Sequence, residues 1–235
     1  MKKNIDEYSL LNGDKNTFEN VFSTEDPWKL SGTQEQLRYK IVMKYIRKNF
    51  LKSVLRVLEL GCAEGNFTEY LIREEYKVTA VDISEKAIER AKKKNLPNAE
   101  FICEEMIKYV TNNDISRFDV VLLMEVIYYL SKEKKVELLE QLHEKMNPEA
   151  KLLVSAPVKN KHEMFLSEQR LLKKLGYKGF GRYKDYDGII LSSKGISGKL
   201  LEIIPTYRLK KLYLCLHKYI IPFRINQKLF LFRKD

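Results

Sequence analysis

A turn with two glycines follows a short apolar segment in the first third of the chain. The stretch reads Val57-Leu58-Glu59-Leu60-Gly61-Cys62-Ala63-Glu64-Gly65. Gly61 and Gly65 allow the backbone to turn tightly from a strand into a helix, because glycine lacks a Cβ and accepts positive φ. The small Ala63 lets the main chain approach a ligand, and Glu59 offers a carboxylate suited to an ammonium group. These residues predict a binding loop for a small ligand with a cationic part.

A second acidic position, Asp82, lies twenty-one residues after the first glycine of this loop. A carboxylate at the end of a second strand is placed to accept hydrogen bonds from a ribose diol. A dinucleotide-binding protein shares this layout, but its G-x-G-x-x-G pattern is absent, since Ala63 replaces a glycine. Glu59 and Glu64 also disfavour a pyrophosphate and suit a cofactor with an amino group and a sulfonium cation. We therefore expect S-adenosylmethionine (SAM) and not a nicotinamide dinucleotide.

The elements that must position these residues alternate between strands and helices. Apolar and β-branched patterns predict strands over 54–60, 77–81, 100–103, 118–124 and 151–155, with helices over 34–50, 66–73, 84–94 and 132–146. Such alternation predicts parallel crossover units in a doubly wound α/β sheet. Ligands of these sheets bind beyond the carboxyl ends of the strands, where the loop and Asp82 fall.

The pattern becomes irregular after residue 157. We predict a helix over 161–175, a Gly/Tyr-rich stretch over 176–188, a helix-like run over 209–219 and a strand over 228–232 that completes the sheet. The expected fold is a mostly parallel, seven-stranded, Rossmann-like sheet with an N-terminal helical cap. Its expected parts are a cap segment (1–50), a cofactor-binding core (51–157) and a C-terminal part of the same domain (158–235).

Composition limits the classes of protein further. The 235 residues are 44% hydrophobic and 32% charged, which is typical of a soluble globular protein. We find no apolar run that predicts a membrane span or a signal peptide, and three scattered cysteines predict no disulfide framework. These features favour a cytoplasmic protein. The three histidines lack metal-ligand spacing, so no metal is expected.

The formal charge of +11 leaves several partners open, since many lysines simply coat helices. Excess positive charge is concentrated in residues 207–235. The run 208–219 predicts an amphipathic helix on the sheet. It could instead contact an anionic membrane near a lipid-linked glycan, or steer a nucleic acid.

Four segments resemble, in order, the motifs of class I SAM-dependent methyltransferases. They are Val57–Gly65, Val81–Ile83, Glu100–Met106 and Phe118–Leu130, and the resemblance as a whole extends over about residues 50–157. The resemblance implies that the cofactor contacts Glu59, Gly61, Cys62, Ala63, Gly65, Asp82, Ile83, Glu105, Met106 and Glu125. Glu105 would face the adenine amino group, with Met106 against the ring. Cys62 is interpreted as a small loop residue and not as a nucleophile.

A narrower resemblance lies upstream. Asp26-Pro27-Trp28, followed by Ser31, Glu35, Arg38, Tyr39 and Lys40, resembles the entry segment of the NodS-like nodulation N-methyltransferases, and Glu125–Leu130 is similar to their fourth motif. The resemblance implies that an N-terminal segment covers the cofactor, with Trp28 as a lid and Arg38 on the cofactor carboxylate. Known members methylate the amino group of a glucosamine unit in a chito-oligosaccharide. Gln34 departs from the pattern, since an aromatic residue is expected there.

Methyl transfer requires alignment of the nucleophile with the sulfonium and exclusion of water. An amine nucleophile must also lose a proton to a nearby base. Glu125, Tyr128 and Tyr129 follow the fourth predicted strand and are the candidate catalytic residues. The two tyrosines could instead serve only packing, Trp28 could be a plain hydrophobic anchor, and His162 is an alternative base.

The leading prediction is a methyltransferase acting on nitrogen or oxygen of a small-molecule acceptor, an amino sugar or glycan precursor. The basic C-terminal region leaves an RNA or protein methyltransferase as an alternative. Methylation of a base amino group is disfavoured, because Met124–Ile127 occupies the place of the Asn/Asp-Pro-Pro-Tyr-type motif. The alternative of another class is an inactive SAM-binding interaction protein.

Overall fold

The computed structural model describes residue 10 and residues 14–50, 52–157, 184–191 and 225–233. Seven strands in these ranges form one sheet: β1 (Arg56–Leu60), β2 (Lys77–Asp82), β3 (Ala99–Cys103), β4 (Val120–Met124), β5 (Lys151–Pro157), β6 (Lys184–Leu191) and β7 (Ile225–Arg233). The helices predicted over 161–175 and 209–219, and His162, lie outside the described residues.

The strand order is β3-β2-β1-β4-β5-β7-β6. Strands β1 to β5 pair in parallel, and β7 runs antiparallel to both β5 and β6. The chain leaves β1 toward β2 on one side and β4 lies on the other, so the topological switch point is between β1 and β4. This arrangement confirms the predicted doubly wound, mostly parallel α/β class.

Six α-helices accompany the sheet in the described ranges: α1 (Lys15–Val21), α2 (Thr33–Asn49), α3 (Asn66–Ile72), α4 (Glu85–Lys93), α5 (Met106–Asn112) and α6 (Lys132–Lys145). The sequence pattern did not predict α1 or α5. Both have seven residues, which is too short for a helical period to stand out. Each begins at an acidic cap: Asp14 accepts from Thr17 N, and Glu105 accepts from Lys108 N.

The core lies on both faces of the sheet. All five residues of β4 are buried, with Val121 and Leu123 in one cluster and Val120 and Leu122 in the other. Successive side chains point to opposite faces, so an apolar strand of this kind must be covered twice. Helix α2, the predicted cap helix, contributes Tyr39, Val42, Met43 and Ile46 to the second cluster.

The C-terminal strands complete the sheet. Strand β7 contains the strand predicted over 228–232. Strand β6 begins inside the stretch predicted to be irregular over 176–188, because pairing with β7 makes it extended. Among the described residues, no helix has the length and apolarity needed to cross a membrane.

Candidate active site

A cavity of about 450 Å³ lies beyond the carboxyl ends of β1, β2 and β4, at the switch point. Its lining includes thirteen residues singled out from the sequence: Trp28, Arg38, Glu59, Gly61, Cys62, Ala63, Asp82, Ile83, Glu105, Met106, Glu125, Tyr128 and Tyr129. The fold therefore brings residues of the N-terminal segment and of the four motif segments together around one cavity. Gly65 is the exception, since it does not line the cavity.

The loop after β1 needs both glycines for backbone reasons. Gly61 has φ +80° and donates its N–H to Val81 O at 2.7 Å. Gly65 has φ +71° and begins α3, and a Cβ there would lie 3.0 Å from the Phe101 ring. Gly65 thus faces the core and shapes the loop without lining the cavity, and its contact with the cofactor stays a prediction. Ala63 also has positive φ, at 50°.

Glu59 is a buried carboxylate at the centre of the site. Its Oε2 accepts a hydrogen bond from Thr68 Oγ1 at 2.7 Å. Burial raises the pKa of Glu59, the Thr68 hydrogen bond opposes this and the nearby Asp82 adds to it, so that the pKa is about 7. Sequence reasoning missed Thr68, because its position on α3 has no spacing signature.

Asp82 is held by two backbone donors. Oδ2 accepts from Ala63 N at 2.8 Å, and Oδ1 accepts from Ser84 N at 3.0 Å. Burial raises the pKa of Asp82 to about 6, although these hydrogen bonds oppose the rise. Each carboxylate oxygen has two lone pairs, so the fixed carboxylate can still accept from a ligand diol.

Glu105 and Met106 lie at the start of α5, on the cavity wall. The Glu105 Oε2 atom accepts from Lys108 N at 3.1 Å. Oε1 is buried and meets no hydrogen-bond partner in the part of the chain that the structure describes. A buried acceptor without a partner is costly, so this atom suits a donor from a ligand.

Glu64 does not have the role that the sequence suggested, which was to favour a cationic cofactor. It does not line the cavity, so it is not available to a cationic ligand. It forms an ion pair with Arg90 Nη1 at 2.6 Å and accepts from Asp26 N through both carboxylate oxygens, at 3.0 and 3.2 Å. Glu64 therefore binds the N-terminal segment to the loop.

Aromatic residues of that segment cover the cavity. The Trp28 ring lies 4.9 Å from Phe22 and 6.4 Å from Tyr129, and Phe18 lies 5.5 Å from Tyr129, between ring centroids. Trp28 Nε1 is buried, and no acceptor among the described residues reaches it. Trp28 thus packs as an anchor and also lines the cavity with a free donor.

Arg38 is a buried cation between two carboxylates. Its Nη2 forms an ion pair with Glu35 Oε2, and its Nη1 lies 3.8 Å from Glu125 Oε1. Burial raises the pKa of Glu35, Arg38 opposes this, and Glu125 adds to it. The three residues carry one net negative charge when ionised. Arg38 is also predicted to contact the cofactor carboxylate. That carboxylate would be a third acidic partner of Arg38, beside Glu35 and Glu125.

Glu125 follows β4 in the left-handed conformation, with φ 55°. Its N–H is shared between Ser155 O and Ser155 Oγ, each at 3.1 Å. A non-glycine residue rarely adopts this conformation unless its surroundings hold it there. The nearby Tyr128 is partly buried, and desolvation raises the pKa of its phenol well above the ordinary value. Tyr128 is therefore protonated at neutral pH and can act as a hydrogen-bond donor, not as a general base.

Charge in the cavity contrasts with charge on the whole chain. Within the described residues, the lining contains seven carboxylates (Asp14, Glu35, Glu59, Asp82, Glu104, Glu105 and Glu125) and three cations (Lys15, Arg38 and Lys134). The chain as a whole carries a formal +11. An acidic cavity in a basic protein favours a small cationic ligand.

The strand order, the antiparallel β7 and the cavity at the switch point define the fold of class I SAM-dependent methyltransferases. The profile of the nodulation protein S (NodS) family matches residues 11–162. The chain belongs to this family, which confirms the resemblance found in the sequence.

Similar proteins agree with this assignment. Nodulation protein S of Bradyrhizobium diazoefficiens is 30% identical over 115 residues, which is 48% of this chain and 53% of the relative. The ubiquinone biosynthesis O-methyltransferase of Coxiella burnetii is 26% identical over 117 residues, 48% of this chain and 49% of the relative. The matches to these two curated relatives thus span about half of their length.

A solved structure matches over more of the chain. The crystal structure of N-methyltransferase NodS from Bradyrhizobium japonicum WM9, in complex with S-adenosyl-L-homocysteine (SAH), has a TM-score of 0.62 at 18% identity. The match covers 94% of this chain and 97% of that one. At this identity the likeness concerns the fold.

Proposed function

We propose that this chain is a SAM-dependent methyltransferase that acts on nitrogen or oxygen of a small-molecule acceptor, with an amino sugar or glycan precursor as the leading substrate. The observation that carries the proposal is the acidic cavity at the switch point, where Glu59 and Asp82 are both buried. Buried carboxylates need charged or hydrogen-bonded partners. A nucleoside with an ammonium group and a sulfonium provides them.

The residues that would hold SAM have distinct tasks. Glu59 pairs with the ammonium group, and Asp82 accepts from the ribose hydroxyls. Glu105 Oε1 accepts from the adenine amino group, with Met106 against the ring. Trp28 and Phe22 pack together in the cavity wall and exclude water from the cavity. Bound SAM supplies a methyl group activated by its sulfonium.

The acceptor end of the cavity is formed by Glu35, Arg38, Glu125, Tyr128 and Tyr129. Glu125 is held at a fixed backbone turn and takes the proton that an amine acceptor releases. Tyr128 orients the acceptor as a hydrogen-bond donor, since its phenol stays protonated. The negative charge shared by Glu35 and Glu125 favours an amine over a neutral hydroxyl.

The relatives support both nitrogen and oxygen as the methylated atom. The Bradyrhizobium japonicum NodS of the similar structure is an N-methyltransferase, and the Coxiella burnetii relative is an O-methyltransferase. The acidic lining disfavours an RNA acceptor, because a phosphodiester would meet Glu35 and Glu125 at the proposed acceptor end of a cavity whose lining has more carboxylates than cations. An amine on a neutral sugar fits this charge best.

The first experiment is calorimetric titration with SAM, SAH and, as control, NADH. Binding of SAM and SAH but not NADH supports the cofactor assignment, and the reverse contradicts it. The second experiment measures transfer of a labelled methyl group to glucosamine and chito-oligosaccharides with one free amine, against N-acetylated controls. Transfer only to free amines supports the amino-sugar assignment. Cofactor binding without transfer to any acceptor, RNA included, would favour the interaction-protein alternative.

A further inference from the structure

One arginine ties the N-terminal segment to the cofactor loop. Arg90 on α4 donates through Nη2 to Phe22 O at 2.8 Å, and through Nη1 to Thr24 O at 3.1 Å and Glu64 Oε1 at 2.6 Å. Glu64 in turn accepts from Asp26 N. Three residues of the segment are thus bound, directly or through Glu64, to one guanidinium.

The segment over residues 22–31 depends on contacts with the rest of the protein to keep its conformation. Its backbone enters the left-handed region at Asp26 (φ 44°) and Lys29 (φ 57°), which is unfavourable for residues other than glycine. The Asp26 carboxylate closes the turn by accepting from Leu30 N at 2.5 Å and Ser31 N at 3.1 Å. The preceding α1 has only seven residues, too few for a helix to be stable by itself.

The other side of the segment lies over the cavity. Trp28 packs between Phe22 and Tyr129 and lines the cavity. The segment therefore spans the site from the cofactor loop, which carries Glu64, to the acceptor side, which carries Tyr129. Movement of this span away from the cavity would therefore widen the way out for a bound ligand.

We propose that Arg90 is a positioning residue, which fastens residues 22–31 over the cavity and so sets how fast bound cofactor and product leave. The proposal rests on the proposed function, because it assigns the cavity to SAM and SAH. Arg90 does not line the cavity. Its guanidinium is suited to the task, because a planar group with several donors can bind one carboxylate and two carbonyls together.

The test compares Arg90→Ala and Arg90→Lys with Lys93→Ala, a matched control at an exposed position on the same helix. Trp28 is the single tryptophan of the chain, so its fluorescence reports on the segment. We expect SAH to dissociate about tenfold faster or more from Arg90→Ala, as loss of charge-assisted hydrogen bonds implies. SAH should dissociate from Arg90→Lys at an intermediate rate, since lysine can pair with Glu64 but lacks the planar guanidinium that also donates to the two carbonyls.

Steady-state kinetics separate positioning from a general loss of structure. We expect KM for SAM to rise in Arg90→Ala, with kcat unchanged or higher, because faster product release does not slow chemistry. Lys93→Ala should match the parent in both. An unchanged SAH dissociation rate in Arg90→Ala would overturn the proposal, as would an equal change in Lys93→Ala.

Acrylamide quenching of Trp28 in the ligand-free protein gives a readout independent of the cofactor. Quenching should increase in Arg90→Ala and stay at the parent value in Lys93→Ala. If the parent binds no SAH, the proposed function fails, while quenching still decides whether Arg90 holds the segment. If Arg90→Ala does not fold, Arg90→Gln replaces it, since glutamine keeps part of the aliphatic stem but cannot form the ion pair with Glu64 or donate to both carbonyls. Equal quenching in parent and Arg90→Gln would then refute the role.

Discussion

Gly61 and Val126 are in direct contact across the site: a Cβ on Gly61 would lie 2.5 Å from Val126 Cγ2 and 2.9 Å from its Cβ. Gly61 follows β1 and Val126 follows β4, so the two loops that flank the switch point are packed against each other without spare volume. The cofactor loop and the turn that carries Glu125 therefore cannot move independently.

Gly61→Ala should lower the free energy of unfolding by roughly 2–4 kcal/mol, because it combines overpacking with a positive φ. Denaturant unfolding measures the loss. The double variant Gly61→Ala/Val126→Ala serves as the control, since it removes the two closest methyl contacts and should recover part of the stability but not the φ component. A single variant as stable as the parent would show that the loops can separate.

Asp82→Asn should weaken SAM binding by about 1.5–3 kcal/mol, the value of a hydrogen bond to a charged group. The neutral amide also places an NH2 group beside the Ala63 or Ser84 N–H, so the melting temperature should fall as well. Calorimetric titration checks the affinity. Glu89→Gln, at an exposed position on α4, should bind as the parent does. Unchanged affinity in Asp82→Asn would remove Asp82 from the cofactor site.

Stability of the ligand-free protein should carry a pH signature of Glu59. Burial raises its pKa to about 7, whereas the carboxyl of the unfolded chain titrates near about 4.3. The folded state therefore holds the proton to higher pH, and this group's contribution to stability falls as pH rises from about 4 to about 7. The unfolding free energy of the parent minus that of Glu59→Gln should drop by about 3 kcal/mol across this window. A difference constant with pH would contradict the raised pKa.

Cofactor binding should show the opposite pH trend. An ammonium group favours ionised Glu59, so the SAM affinity of the parent should rise between about pH 5.5 and 7.5 and release protons on binding. Titration in buffers of different ionisation enthalpy counts these protons. Adenosine, which lacks the ammonium group, serves as the control and should show a weaker rise from Asp82 alone, whose pKa is about 6.

Glu125→Gln should reduce turnover about 100-fold, in the usual range for loss of a general base, with a much smaller change in SAM affinity. Tyr128→Phe should reduce turnover less, because burial keeps the phenol protonated and its loss removes only an orienting donor. Single-turnover methyl transfer at saturating SAM separates the two effects. A larger loss of SAM affinity than of turnover in Glu125→Gln would make Glu125 a cofactor residue only.

Much of the fold and the cofactor side of the site could be predicted from local patterns. The apolar strand Val120–Met124, the glycines at 61 and 65 and Asp82 at the end of β2 depend on strand periodicity, turn geometry and order along the chain. The helices α1 and α5 could not be predicted, because seven residues are too few to show a helical period. The spacing of Gly65 in the loop does not reveal which side of the backbone faces a ligand, and only the structure shows that its Cα faces the core.

By itself, the sequence determined the order of the elements, the class of sheet and the identity of the carboxylates that lie at the strand ends. Only the tertiary structure decided how those carboxylates are partnered. Glu64 pairs with Arg90, twenty-six residues away, and not with a ligand, while Arg38 lies between Glu35 and Glu125. The physical reason is that an ion pair depends on distance and burial in space. Spacing along the chain reveals these only within a helix or between paired strands.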